Sequence, residues 1–154
     1  TKLSSESGRS SISLVIPRRA EYVSLCRLVA GAVGSGESLG EETIADLKLV
    51  VSEACACFML EPDLEPSTPG SPDLPRSPGS LRVDFDVMPE SWEITVTDPE
   101  GRCRALSSRR CDPSSEGDLG FIILRALVDS MEHVDSETEG TSLRLVKRME
   151  PSRS

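Results

Sequence analysis

Hydrophobic and polar positions change period several times along the chain, and each change marks an element. Ile12, Leu14 and Ile16 alternate with Ser11, Ser13 and Val15 until Pro17, which predicts a short strand. From Glu21 onward Tyr22, Leu25, Cys26, Leu28, Val29 and Val33 recur at three and four, predicting an amphipathic helix to about Val33. Gly34, Gly36 and Gly40 are expected to end it. A second helix is predicted from Glu41 and Glu42, acids that suit a helix N-terminus. Its apolar stripe is Ile44, Leu47, Val50, Val51, Ala54, Cys55 and Phe58. Period two returns in Leu81, Val83, Phe85 and Val87, and again in Trp92, Ile94 and Val96, two strands joined at Pro89-Glu90-Ser91. Leu119 to Met131 reads as a helix with Phe121, Ile122, Leu124, Leu127, Val128 and Met131 inward. His133-Val134 and Leu143, Leu145, Val146 predict closing strands around Glu139-Gly140. Antiparallel strands grouped beside segregated helices define an α+β fold, with helices covering one sheet face.

Three stretches carry no such period. Residues 1–11 are polar and predict a flexible leader. Residues 61–80 hold six prolines, and Pro66, Pro69, Pro72, Pro75 and Pro78 repeat at every third position. That spacing favours extended polyproline II and forbids helix. With only Leu64 and Leu74 as sizeable apolar side chains, the segment reads as a solvated linker within one domain. A docking segment for a proline-reading module is the alternative. Residues 98–118 are polar and carry Arg102, Arg104, Arg109 and Arg110. The 154 residues suit one domain, expected over 12–149.

Charge and cysteine usage narrow the partners. Lys and Arg number 17 against 26 Asp and Glu, a net charge of −9, which repels phosphate backbones and argues against a direct nucleic-acid partner. No apolar run approaches the roughly 20 residues that cross a bilayer. No signal-peptide-like apolar segment opens these residues, so a soluble, cytoplasmic protein is expected, with no membrane partner. The five cysteines (Cys26, Cys55, Cys57, Cys103, Cys111) form no C-x-x-C pair, and with His133 the single histidine they leave no zinc site of ordinary spacing. Cys26 and Cys55 fall on apolar helical positions and read as reduced, buried small hydrophobes.

Candidate chemistry lies in three places. Glu53 and Cys57, four apart on the second helix, share a face with Asp46. Glu53 is embedded in the apolar stretch Val50 to Ala56, which predicts a carboxylate facing a cleft. Asp98 leaves an apolar strand in Val96-Thr97-Asp98-Pro99-Glu100-Gly101, as a site acid or as a turn former. Ser115-Glu116-Gly117-Asp118-Leu119-Gly120 opens a helix, where glycines let backbone amides approach a phosphate.

The order helix glutamate, strand-end aspartate, glycine-rich helix start resembles the GHKL ATPase superfamily, and most closely its anti-sigma serine kinases of the RsbW and SpoIIAB type. Ile16 to Val23 is similar to that family's first strand and helix, Asp46 to Cys55 to its N-box helix, and Asp98-Pro99-Glu100-Gly101 to its aspartate-glycine motif. Gly117 to Ile123 resembles its Gly-x-x-Gly helix start, and Gly140-Thr141-Ser142-Leu143-Arg144-Leu145 its last strand. The resemblance implies a two-layer sandwich: a mixed, mainly antiparallel sheet with about three helices on one face and a lid-like loop over 101–116. It implies ATP and Mg²⁺ as cofactors, Glu53 as the catalytic base, and Asp98, Gly101, Gly117, Gly120 and Thr141 as nucleotide-binding residues. It further implies a homodimer that binds a sigma factor and an anti-anti-sigma factor.

Two departures bear on catalysis. The family's asparagine that coordinates Mg²⁺ is replaced by Cys57, whose neutral thiol is a poor ligand for a hard cation. Glu100 replaces a glycine and puts a second carboxylate where the phosphates are expected. The expected function is therefore an anti-sigma regulator whose ATP-dependent kinase activity is weak or lost. A nucleotide-free, GHKL-shaped binding adaptor is the alternative, and a redox-sensitive Cys57 is a further one.

Overall fold

Alternation along the first strand, and the pairing it permits, set the frame of the molecule. The computed structural model describes residues 10–37, 39–59, 79–100, 119–136 and 138–149. Strand β1 (Ser10–Pro17) leads through a 3-10 turn, Ala20–Tyr22, into helix α1 (Val23–Gly36) and helix α2 (Glu41–Met59). Strands β2 (Ser80–Val87) and β3 (Ser91–Asp98) precede helix α3 (Leu119–Leu127), and β4 (Ser130–Ser136) and β5 (Gly140–Arg148) follow it. The α+β fold expected from the sequence is the one found. The five described strands form one sheet in the order β1-β2-β3-β5-β4, antiparallel at every pairing. The linker over 61–80 and the lid-like loop over 101–116 fall almost wholly outside the described residues.

One face of the sheet is apolar because period two places Leu81, Val83, Phe85, Val87, Trp92, Ile94, Val96, Leu143 and Leu145 on the same side. Helix α2 lies over β3 and against both α1 and α3, and Leu47, Val50, Val51, Ala54, Cys55 and Phe58 close the core. Burying a side chain such as Phe85 or Ile94 contributes roughly 1.5–3 kcal/mol, and a one-residue slip would turn the whole strand face to water. The outer face is polar. There Arg144 pairs with Glu93 and lies 3.6 Å from Glu132, a ladder across β3, β5 and β4. The contact with Glu93 holds the Arg144 guanidinium above its ordinary pKa.

Helix faces and ends depart from the pattern in three ways. In α1 the buried line is Cys26, Ala30, Val33 and Gly34, while Leu25 and Leu28, and Tyr22 in the 3-10 turn before it, all expected inward, are exposed. Gly34 does not end the helix. It faces α2 so closely that a Cβ would stand 2.7 Å from Ile44 Cγ1, and the helix runs on to Gly36. Helix α3 stops at Leu127, short of Met131, because the Asp129 amide donates to the Val146 carbonyl at 2.8 Å and the chain enters β4. Met131 is thus a strand residue, and Ile122, also expected inward, is 62% exposed.

Candidate functional site

The sheet register assembles the end of β3 with the start of β5. Asp98 is the cross-strand partner of Thr141, and both are buried, at 1% and 0% exposure. Asp98 shares the parity of Ile94 and Val96, so its side chain leaves the helix-covered face. Its Oδ1 accepts the Glu100 amide at 3.2 Å, which fixes the turn that follows the strand. Of the two readings of Asp98 from sequence, this contact is that of the turn former. Gly140 makes the junction possible. Its φ is +85°, and a Cβ there would lie 2.0 Å from the Asp98 carbonyl oxygen.

Glu100 turns away from this junction. Its carboxylate packs against Gly79, in a cavity of about 500 Å³ that Ile16, Pro17, Arg19 and Tyr22 also line. In strand order that is the β1–β2 side of Asp98, opposite Thr141.

On α2, Glu53 is half-buried and Cys57 lies one turn further, 3% exposed. The Cys57 thiol donates to the Glu53 carbonyl at 3.2 Å, so the sulfur is turned back onto its own helix. Mg²⁺ takes oxygen ligands in near-ideal octahedral geometry, and this residue offers none. Among the described residues no group of three or more His, Cys, Asp and Glu side chains could hold a metal ion. The Mg²⁺ that the family resemblance implies does not fit a thiol at residue 57. At the end of β3, the buried carboxylate of Asp98 is an acceptor able to take a hydrogen bond from an amino group. Gly120 sits half-buried in the first turn of α3, while Gly101 and Gly117 lie outside the described residues.

The thiols Cys26 and Cys55 meet across α1 and α2, both fully buried and both unoxidised. A hydrogen bond from Cys55 holds the Cys26 thiol below its ordinary pKa, whereas that bond and burial push Cys55 well above it. Full burial of both thiols shields them from reagents, as in a structural pair.

Sequence reasoning missed two residues beside Thr141. The Thr141 hydroxyl donates to Asp135 Oδ1 at 2.9 Å, and His133 Nε2 stands 3.5 Å from the same oxygen. Alternation along β4 puts His133 and Asp135 on one face, but only the register of β4 on β5 places that face against Thr141.

This architecture, a layer of helices over an antiparallel sheet with a buried aspartate at a strand end, defines a class that the sequence comparisons identify. The chain belongs to the family of histidine kinase-like ATPase domains, whose profile matches residues 16–147. It is 29% identical over 131 residues to the serine-protein kinase RsbW of Bacillus pumilus, covering 79% of this chain and 76% of that protein. The RsbW of Listeria innocua is 27% identical over 147 residues, 88% of this chain and 85% of that protein. The RsbW of Bacillus subtilis is 28% identical over 131 residues, 78% and 75% of the two chains.

Proposed function

We propose that this chain is an anti-sigma regulator of the RsbW type, which binds a sigma factor and answers to an anti-anti-sigma partner, with its serine kinase activity weakened or lost at the metal. The observation that carries the loss is Cys57, buried and hydrogen-bonded to the Glu53 carbonyl where an oxygen ligand is required. In this reading Glu53 orients the protein-serine hydroxyl, Asp98 accepts from the base of ATP, and Thr141, Gly101, Gly117 and Gly120 complete the nucleotide site. Phosphoryl transfer depends on metal and positioning, so losing a ligand removes several kcal/mol of transition-state stabilisation. Membership in an ATPase domain family and the kinase names of its relatives support a nucleotide site in this protein.

The same misfit favours a second reading, a nucleotide-free adaptor of this shape. One experiment separates the two: ATP affinity and phosphate transfer to an anti-anti-sigma serine, for wild type and Cys57→Asn at matched Mg²⁺. The proposal expects measurable but weak ATP binding by the wild type. It also expects a Mg²⁺-dependent gain of about tenfold or more in Cys57→Asn, on the order of 1.4 kcal/mol. Glu53→Ala should abolish any transfer that remains. Robust transfer by the wild type, unchanged by the substitution, would sink the weakened-kinase reading. Absence of ATP binding by both proteins would favour the adaptor.

Apolar exposure supports a homodimer. Strand β1 is an edge of the sheet, with Val15 64% and Ile12 40% exposed, and α1 beside it exposes Leu28 at 71%. An unpaired edge strand with apolar side chains is a surface that pairs with another chain.

A further inference from the structure

Helices α1 and α2 leave between them an open cleft of about 340 Å³, lined by Ser24, Arg27 and Leu28 of α1 and by Lys48 of α2. Two of these side chains are cations, in a chain whose net charge is −9. Among the described residues neither Arg27 nor Lys48 forms an ion pair. The sequence arranges this: every position three or four residues away from either cation is uncharged, so no acid stands within helical reach. The α2 acids Asp46 and Glu53 share the face of Cys57, which the helical period turns away from Lys48. Gly31 lets the Lys48 stem lie across α1, since a Cβ there would stand 2.9 Å from Lys48 Cε. Like charges lining one small cleft repel each other until an anion comes between them. Leu28, in the cleft, and Leu49, next to Lys48 in the chain, are both exposed.

We infer that this cleft docks an acidic amphipathic helix of a partner protein, with carboxylates at Arg27 and Lys48 and apolar side chains on Leu28 and Leu49. Charge complementarity names the occupant. The Debye length is about 8 Å at physiological ionic strength, so two cations in direct contact outweigh acids elsewhere on the chain. A third helix laid along a two-helix groove gains affinity from apolar anchors at i, i+3, i+4 and i+7, and its charges set the register. A small anion would use the cations and leave both leucines in water, whereas a helix covers them. The inference does not depend on nucleotide binding, because neither Arg27 nor Lys48 belongs to that site. Leu28 also lies on the α1 surface assigned above to a second copy, so the variants below are confined to the two cations.

The test is fluorescence anisotropy of three labelled peptides with the full chain. The first is an amphipathic helix of Leu, Glu and Ala, the second has Lys in place of Glu, and the third scrambles the first out of helical period. The acidic amphipathic peptide is expected to bind at least about tenfold more tightly than either control. For the basic peptide that order is the reverse of what a net charge of −9 dictates. Arg27→Gln/Lys48→Gln should weaken the acidic peptide by about tenfold or more and flatten its salt dependence. Arg125→Gln/Arg148→Gln, an equal change of charge at exposed positions outside the cleft, should leave binding unchanged. Thermal melts establish that each fold is retained, and Arg27→Gln alone, at an exposed position, must weaken binding in the same direction. Preference for the basic peptide, equal binding of the scrambled one, or acidic-peptide binding indifferent to Arg27→Gln/Lys48→Gln overturns the inference. Conversion of a wild-type dimer to monomer by Arg27→Gln/Lys48→Gln, read by sedimentation, assigns the cleft to a second copy and overturns it as well.

Discussion

At the scale of single residues, burial decides which polar groups are chemistry and which are packing. Cys26 lies on α1 and Cys55 and Cys57 on α2, and Cys26 and Cys55 sit on stripes that the sequence already marks as apolar. Their exposures of 0%, 0% and 3% predict that none reacts with a thiol reagent in the native state. In a Cys103→Ser/Cys111→Ser background, titration with a disulfide dye at pH 8 should detect no thiol until denaturant unfolds the chain, and then three. Rapid native labelling of Cys57 would instead support its role as a redox-sensitive thiol. Asp98 was legible from its place at the end of an apolar run. The contact of Asp135 with Thr141 was not, because nothing in Val134-Asp135-Ser136 sets its carboxylate apart from a solvated one. Its partner Thr141 is six residues away, around a turn whose register the sequence leaves open.

At the scale of elements, two glycines with the same letter have opposite meanings. Gly140 opens β5 with φ +85° against the backbone of Asp98 and Pro99, so any side chain meets both strain and collision. Gly140→Ala should cost at least about 3 kcal/mol. For a chain of this length that is a fall in Tm of roughly 6 °C or more by calorimetry. Gly36, in the last turn of α1, has no atom within 4 Å of an added Cβ. Gly36→Ala should be neutral or stabilise by up to about 1 kcal/mol. Equal melting of the two variants would contradict this account of the β3–β5 junction. The helix starts and strand spans were readable from period and charge. The outward turn of Leu28 and Ile122 was not, since a helix that is apolar around much of its circumference does not say which side meets the sheet.

At the scale of the whole molecule, the edge formed by β1 and α1 and the stretch between α2 and β2 carry the remaining expectations. A dimer through the edge predicts that Val15→Glu combined with Leu28→Glu yields a monomer by sedimentation with the fold intact. A wild-type monomer at micromolar concentration would remove that expectation. Deleting residues 66–78 should leave folding intact, because loop closure changes by only about 0.6 kcal/mol per doubling of length. A Tm loss above roughly 8 °C, which is on the order of 2 kcal/mol or more, would show that the segment packs on the domain.

The sequence by itself determined the order of elements, the strand faces and most of the core. Each of these follows from a local period that the hydrophobic effect enforces wherever one face is buried. It also marked Glu53, Asp98 and Thr141, through spacing and family resemblance. Tertiary structure alone decided where α1 and α3 turn their surplus apolar residues, that Gly34 is a contact with Ile44, and that Glu100 lies on the far side of Asp98. It alone set Asp135 beside Thr141. These are contacts between segments distant along the chain or joined by a turn of unspecified register, and a periodic pattern carries no information about which partner a given face will meet.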